Sequence, residues 1–168
     1  AVAAMTWVIL SYLQNGKASA VGAATGAVAG LVAITPAAGS VGPMGSLAVG
    51  FGAGLLTYIA VLYRHKFGFD DALEVFAVHG IGGIWGAIAT AIFAVGGVGV
   101  VDGEFGLLGD NVVAVVSTMG YSFIVTLIIL KILDIIPGLG LRAEEADEST
   151  GLDISHHGER AYVSDGAD

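Results

Sequence analysis

The stretch "DDALEVFAVHGIGGIWGAIATAIFAV", residues 70–95, opens on acids and then stays apolar for long enough to cross a bilayer. A spanning helix needs roughly 20 mainly apolar residues, and Ala72–Val95 supplies them with Glu74 at its start and His79 inside it. In an α-helix, residues three or four apart share a face. The face of His79 is therefore Val75, Phe76, Gly82, Gly83 and Gly86, with Ala72 a turn further back. At roughly 1.5 Å per residue, His79 lies about 10 Å inside the acidic end of the helix. An ionisable side chain at that depth is costly and faces a bundle interior or a cavity. An uncharged, apolar surround favours a neutral imidazole, with one donor and one acceptor nitrogen, which suits proton relay. The alternative is a core histidine bonded to a backbone carbonyl. No second ligand shares its face, so a metal site is not expected.

Asp70, Asp71 and Glu74 begin the same helix. Asp71 fits an N-cap and Glu74 its partner three residues on, a capping box. The competing reading docks these acids on cytoplasmic elements, because Arg64 and Lys66 are close in sequence.

Working outward, the whole chain shares this character. It is 55% hydrophobic and only 12% charged over 168 residues, where soluble domains carry roughly 25% charge. Four more apolar runs read as helices: Ala1–Leu13 (short for a span), Ala18–Thr35 before Pro36, Met44–Tyr63, and Val112–Ile136 before Pro137. Strand alternation is absent, which argues against a membrane barrel. The fold class is all-α: a polytopic helix bundle over residues 1–137 with about five spans, then a polar tail over 138–168. The chain begins at Ala1 within an apolar run, with no basic signal-peptide region, and is read as processed or partial. It has no cysteine, hence no disulfides or thiolate metal sites.

Charge sets the expected orientation. Lys17, Arg64, Lys66, Lys131 and Arg142 all fall on one side if five spans alternate, and the side rich in Lys and Arg is the cytoplasm. The net charge is −9, and the tail carries Glu144, Glu145, Asp147, Glu148, Asp153, Glu159, Asp165 and Asp168. Nucleic acid is excluded as a partner, since phosphate contacts need a basic surface. Gly22, Gly26 and Gly30, then Gly50 and Gly54, then Gly82 and Gly86 recur every four residues. Lipid gives helices no hydrophobic drive to associate, so small residues that permit close backbone approach mark packing faces.

Three stretches together, "GAVAGLVAITPAAGSVGP", "FDDALEVFAVHGIGGIWG" and "GLRAEEADESTGLDISHHGERAY", resemble the ammonium transporter (Amt/Mep/Rh) family in order and spacing across the chain. The resemblance implies a membrane protein that is not an enzyme and needs no cofactor. The family has eleven spans built as an inverted repeat of five plus five, a cytoplasmic C-terminus and a trimeric assembly with one narrow apolar pore per subunit. This chain is similar to helices seven to eleven plus the tail. By position, His79 matches one of the family's paired pore histidines, implicated in carrying the proton while ammonia crosses. Val28, Thr35 and Val75 match pore-wall positions, with ordinary helix packing as their other reading. The second histidine and the outer aromatic recruitment site belong to segments not found in this sequence, and neither Trp7 nor Trp85 matches those roles. Glu74 stands where many relatives have Asp.

In the tail, Gly140 and Arg142, Gly151 and Asp153, and His157, Gly158, Glu159 and Tyr162 match the family's regulatory segment, on whose cytoplasmic face PII-type nitrogen regulatory proteins dock. The tail is expected to hold a fixed conformation, with Arg142 and the acids at 144–148 as charged partners and Leu141, Leu152, Ile154 and Tyr162 as apolar anchors. His156 and His157 are adjacent, so they point apart on a helix and do not make a ligand pair. Three other readings remain open from the residues: an ammonium sensor, a Rhesus-type gas channel (which the tail motif disfavours), and a non-transporting membrane fragment.

Overall fold

The computed structural model describes residues 1–68 and 71–159, without the side chains of His65 and Phe67. Asp70, Tyr162 and the acids at 165 and 168 lie outside the described residues. Five long helical stretches follow one another: α1 (Val2–Asn15), α2 (Ala20–Ile34), α3 (Pro43–Tyr63), a π-helical turn at Phe76–Ile81 running into α4 (Gly82–Phe93), and α5 (Gly106–Ile135). Two short helices, α6 (Glu145–Thr150) and α7 (Leu152–Ser155), follow in the tail. The chain clusters into two units, Ala1–Thr118 and Met119–Asp168.

Local chemistry sets the ends. Ser19 caps α2, its hydroxyl oxygen accepting from Gly22 N at 2.9 Å, and Pro43 opens α3 at the first helical position, where its missing N–H costs nothing. Three of the expected spans are long and apolar enough to cross a membrane: Pro43–Tyr63, Phe76–Phe93 and Gly106–Ile135. Ala20–Ile34 is apolar but has 15 residues, roughly 22 Å, and α1 has 14.

The first unit is packed through small side chains. Ala3, Ala29, Ala33, Val49, Ala53 and Ala89 are fully buried. The glycine repeats sit where backbones nearly touch. A Cβ on Gly26 would lie 2.7 Å from the Trp7 ring, and one on Gly54 would lie 2.7 Å from Thr6 Cβ. A Cβ on Gly86 would overlap the Ala33 carbonyl oxygen. These contacts fix direction. Ala3 faces Gly30 and Trp7 faces Gly22, so α1 and α2 are antiparallel. Val2 faces Gly50 and Thr6 faces Gly54, so α1 and α3 are parallel. Phe93 faces Gly45 and Gly82 faces Thr57, so α4 runs against α3. The first four helices alternate, and Lys17 and Arg64 therefore follow helices that end on the same side.

Both tryptophans are structural. Trp7 Nε1 donates to Thr57 Oγ1 at 3.1 Å, and its ring meets Tyr58 edge-on at 5.0 Å. The Tyr58 hydroxyl is bonded to the Gln14 side-chain oxygen. Trp85 Nε1 donates to the Val49 carbonyl at 2.9 Å. Interhelical hydrogen bonds of this kind join helices where apolar contact alone does not discriminate between partners.

Candidate functional site

The segment Ala72–Val95 is not one uninterrupted α-helix. Residues 71–74 form a turn, α-helical pairing begins with the Val78 N–H donating to the Glu74 carbonyl at 2.8 Å, and Phe76–Ile81 is π-helical. The capping box is corrected by the same geometry. Asp71 does cap: its two carboxylate oxygens accept from Val75 N at 2.8 Å and Phe76 N at 2.9 Å. Glu74 does not reach back to it. It has φ +61, a left-handed conformation that costs a side-chain-bearing residue roughly 1–2 kcal/mol. Its carboxylate pairs with Arg64 at 2.7 Å, both side chains being 22% exposed. Arg64 also donates to the Asp71 carbonyl at 3.3 Å. Asp71 thus keeps its half of the capping-box reading, and Glu74 leaves it for a pair with Arg64, one of the two bases near it in sequence.

The π turn also redistributes the face assigned to His79. A π turn carries about one residue more than an α turn, and α-helical residues are spaced at about 100°. Val75 and Phe76 are exposed with His79. Gly83 is open, with nothing within 4 Å of its would-be Cβ. Gly82 and Gly86 are buried instead, Gly82 against Thr57 and Val32 and Gly86 against Ala33. They belong to the packing face, which the uniform α spacing could not separate from the His79 face.

The second contributor is α2, which packs against both the π turn and α4. Gly22, Gly26, Ala29 and Ala33 form its buried stripe. Val21, Ala24, Val28, Leu31 and Thr35 form an exposed stripe, with spacings of three and four. The Thr35 hydroxyl donates to the Leu31 carbonyl at 2.6 Å, leaving its oxygen lone pairs available. Ala29 and Ala33 face Gly82 and Gly86 respectively, so α2 and α4 run parallel. All four pore candidates, His79, Val75, Thr35 and Val28, are exposed in the chain. Exposed, the imidazole is enclosed by none of the described residues. An apolar cleft of about 390 Å³ lies beside the π turn, lined by Ile59, Tyr63, Arg64, Phe76, Ala77 and Ile81 among others. His79 is not part of its lining.

In the tail, Arg142 pairs with Glu148 at 3.0 Å. Gly151, between α6 and α7, has φ +98, and Gly158 has φ +65. Both values favour glycine, which gives two of the matched tail positions a backbone reason. Gly158 precedes Glu159, whose N–H donates to the Asp153 carbonyl at 2.9 Å. Gly140, Asp153 and His157 lie on exposed backbone. Tyr162 lies outside the described residues. His156 pairs with Asp147 at 3.3 Å, a contact whose sequence signal is only the acid nine residues upstream. The Arg64–Glu74 pair and the bond from Asn111 Nδ2 to the Ala87 carbonyl at 2.7 Å were not specified by the sequence reading. Among the described residues no group of His and acidic side chains could hold a metal ion.

The chain is 45% identical over 163 residues to an ammonium transporter of Bacillus subtilis, covering 93% of the chain and 40% of that protein. It is 42% identical over 167 residues to Ammonium transporter Amt1 of Archaeoglobus fulgidus, covering 97% and 42% respectively. The chain therefore spans about two fifths of the length of these relatives. The fold is similar to the crystal structure of Saccharomyces cerevisiae Mep2, with TM-score 0.81 and 30% identity over 87% of the chain and 35% of that structure. The Ammonium Transporter Family pattern matches residues 1–162. The chain is an all-α membrane protein and belongs to the Ammonium Transporter Family.

Proposed function

We propose that the chain supplies one side of an ammonium-conducting pathway, as helices seven to eleven and the tail of a transporter whose other side comes from helices one to six. The observation that carries this reading is the exposure of His79, Val75, Val28 and Thr35 on two neighbouring helical segments. A histidine at membrane depth without an enclosing partner among the described residues calls for one from outside. Inverted-repeat transporters place their pathways between two halves, which fits a half that leaves such a face uncovered.

The chemistry follows from the surface. A bare ammonium ion in a dry apolar channel is costly; ammonia carries no charge and crosses more easily. Val28 and Val75 keep the wall apolar, Gly83 leaves room beside the imidazole, and Thr35 offers an oxygen acceptor. A neutral imidazole can accept a proton on one nitrogen while donating from the other, so His79 can pass a proton along the path to a second group. The tail is assigned to the cytoplasmic side, as a contact for neighbouring subunits of a homotrimer and for PII-type regulators.

The test is ammonium-driven current or internal pH change in liposomes containing the transporter with this chain. His79→Ala should change selectivity or lower the ammonium signal at least several-fold. An unchanged signal removes His79 from the pathway.

A further inference from the structure

We infer that Arg64 and Glu74 form a clamp that positions His79, by holding the turn at 71–74 from which the π-helical segment starts. This rests on the reading of His79 as a pathway residue. Glu74 is the only described residue other than glycine with positive φ, and such a conformation persists where surrounding contacts over-determine it. Arg64, at the end of α3, holds the Glu74 carboxylate at 2.7 Å and the Asp71 carbonyl at 3.3 Å. Asp71 in turn holds the N–H groups of Val75 and Phe76. The clamp therefore fixes the four residues upstream of the π turn to α3, while Gly82 and Gly86 fix the residues downstream of it to α2 and α3.

His79 lies between these two anchors. If the upstream anchor is released, the extra residue of the π turn can pass into the turn at 71–74, leaving an ordinary α-helix. The segment from Val75 to His79 would then rotate by up to about 100° relative to α4. The apolar cleft of about 390 Å³ against Phe76, Ala77 and Ile81 gives room on one side of the segment, while buried Ala77 and Val78 would have to repack. The side-chain bonds of Arg64 and Glu74 go to each other and to the Asp71 carbonyl rather than to the imidazole, so in this reading they act through the backbone as positioning residues.

The experiment uses the transporter containing this chain, reconstituted in lipid and labelled for solid-state NMR. Backbone carbon shifts of Phe76–Ile81 and the ring nitrogens of His79 are compared in the parent, Arg64→Ala, Glu74→Gln and the exchanged pair Arg64→Glu with Glu74→Arg. Glu74→Gln keeps side-chain length and polarity, so it isolates the charge. The expected result is a move of the 76–81 shifts to α-helical values in both single variants, a changed ring-nitrogen signature, and at least partial recovery of both in the exchanged pair. Unchanged shifts in the single variants overturn the clamp. A change that the exchanged pair does not recover even in part also overturns it, since that pair rebuilds the ion pair and lacks only the bond from residue 64 to the Asp71 carbonyl. Ammonium flux in His79→Ala is measured separately: a null result there defeats the pathway reading and leaves the register result to stand or fall by itself.

Discussion

Gly83 and Gly86 stand three residues apart on α4 and meet opposite surroundings. A Cβ on Gly86 would overlap the Ala33 carbonyl oxygen, whereas a Cβ on Gly83 would meet nothing within 4 Å. Gly86→Ala should therefore force α2 and α4 apart and cost about 1–3 kcal/mol, the usual range for overpacking. Gly83→Ala should leave stability within about 0.5 kcal/mol but lower ammonium flux if the proposed pathway runs past it, because the methyl group adds bulk to open space one turn from His79. Unfolding of the reconstituted protein in denaturing detergent gives the first quantity and liposome flux the second. Equal destabilisation by both substitutions would contradict the assignment of faces. A further residue-scale prediction concerns Trp7, whose N–H bonds the buried Thr57 hydroxyl. Trp7→Phe keeps most of the ring and removes that bond, for an expected loss of about 0.5–1.5 kcal/mol in the same unfolding measurement. The four-residue glycine spacing was legible as packing from the sequence. The split between Gly83 and its neighbours was not, because it depends on a π turn that leaves no periodic signature over six residues.

At the scale of elements, the sequence placed five helices in the right order, and Pro43 and the Pro36 boundary bracketed α2 and α3 to within a few residues. The misses have local causes. The last span was expected from Val112, but α5 starts at Gly106, since two glycines, Asp110 and Asn111 are tolerated in its first two turns, which hydropathy alone discounts. The start of the fourth span was displaced because Glu74 was given a helical conformation. The geometry of Asp71 yields a prediction of its own. Asp71→Ala removes the acceptors of Val75 N–H and Phe76 N–H, a loss comparable to deleting an N-cap, about 0.5–2 kcal/mol. Hydrogen exchange should accelerate at the amides of Val75 and Phe76 while those of α1 and α2 stay protected. Unaltered exchange at these two amides would show that the cap does not hold the turn.

At the scale of the whole molecule, the chain leaves much of its apolar surface uncovered, and the distribution carries information. No residue of α5 is buried, and a helix apolar on all sides needs lipid or protein around it. The pore candidates are uncovered too, but with a different chemistry: an imidazole and a hydroxyl set among valines. Lipid can cover α5 without loss, since hydrocarbon is as apolar as its side chains. It covers His79 poorly, because an imidazole in hydrocarbon lacks a hydrogen-bonding partner. The 168 residues alone should therefore insert into a bilayer but not conduct ammonium selectively. Selective signal in liposomes should appear only when a segment carrying helices one to six is reconstituted with the chain, and it should then depend on His79. The alternation of α1 to α4 makes this combination geometrically feasible, as these helices pack on one another while His79, Val75, Val28 and Thr35 stay exposed. Selective, His79-dependent flux from the chain by itself would show that a path closes around His79 without the other half, and the interface reading would be wrong.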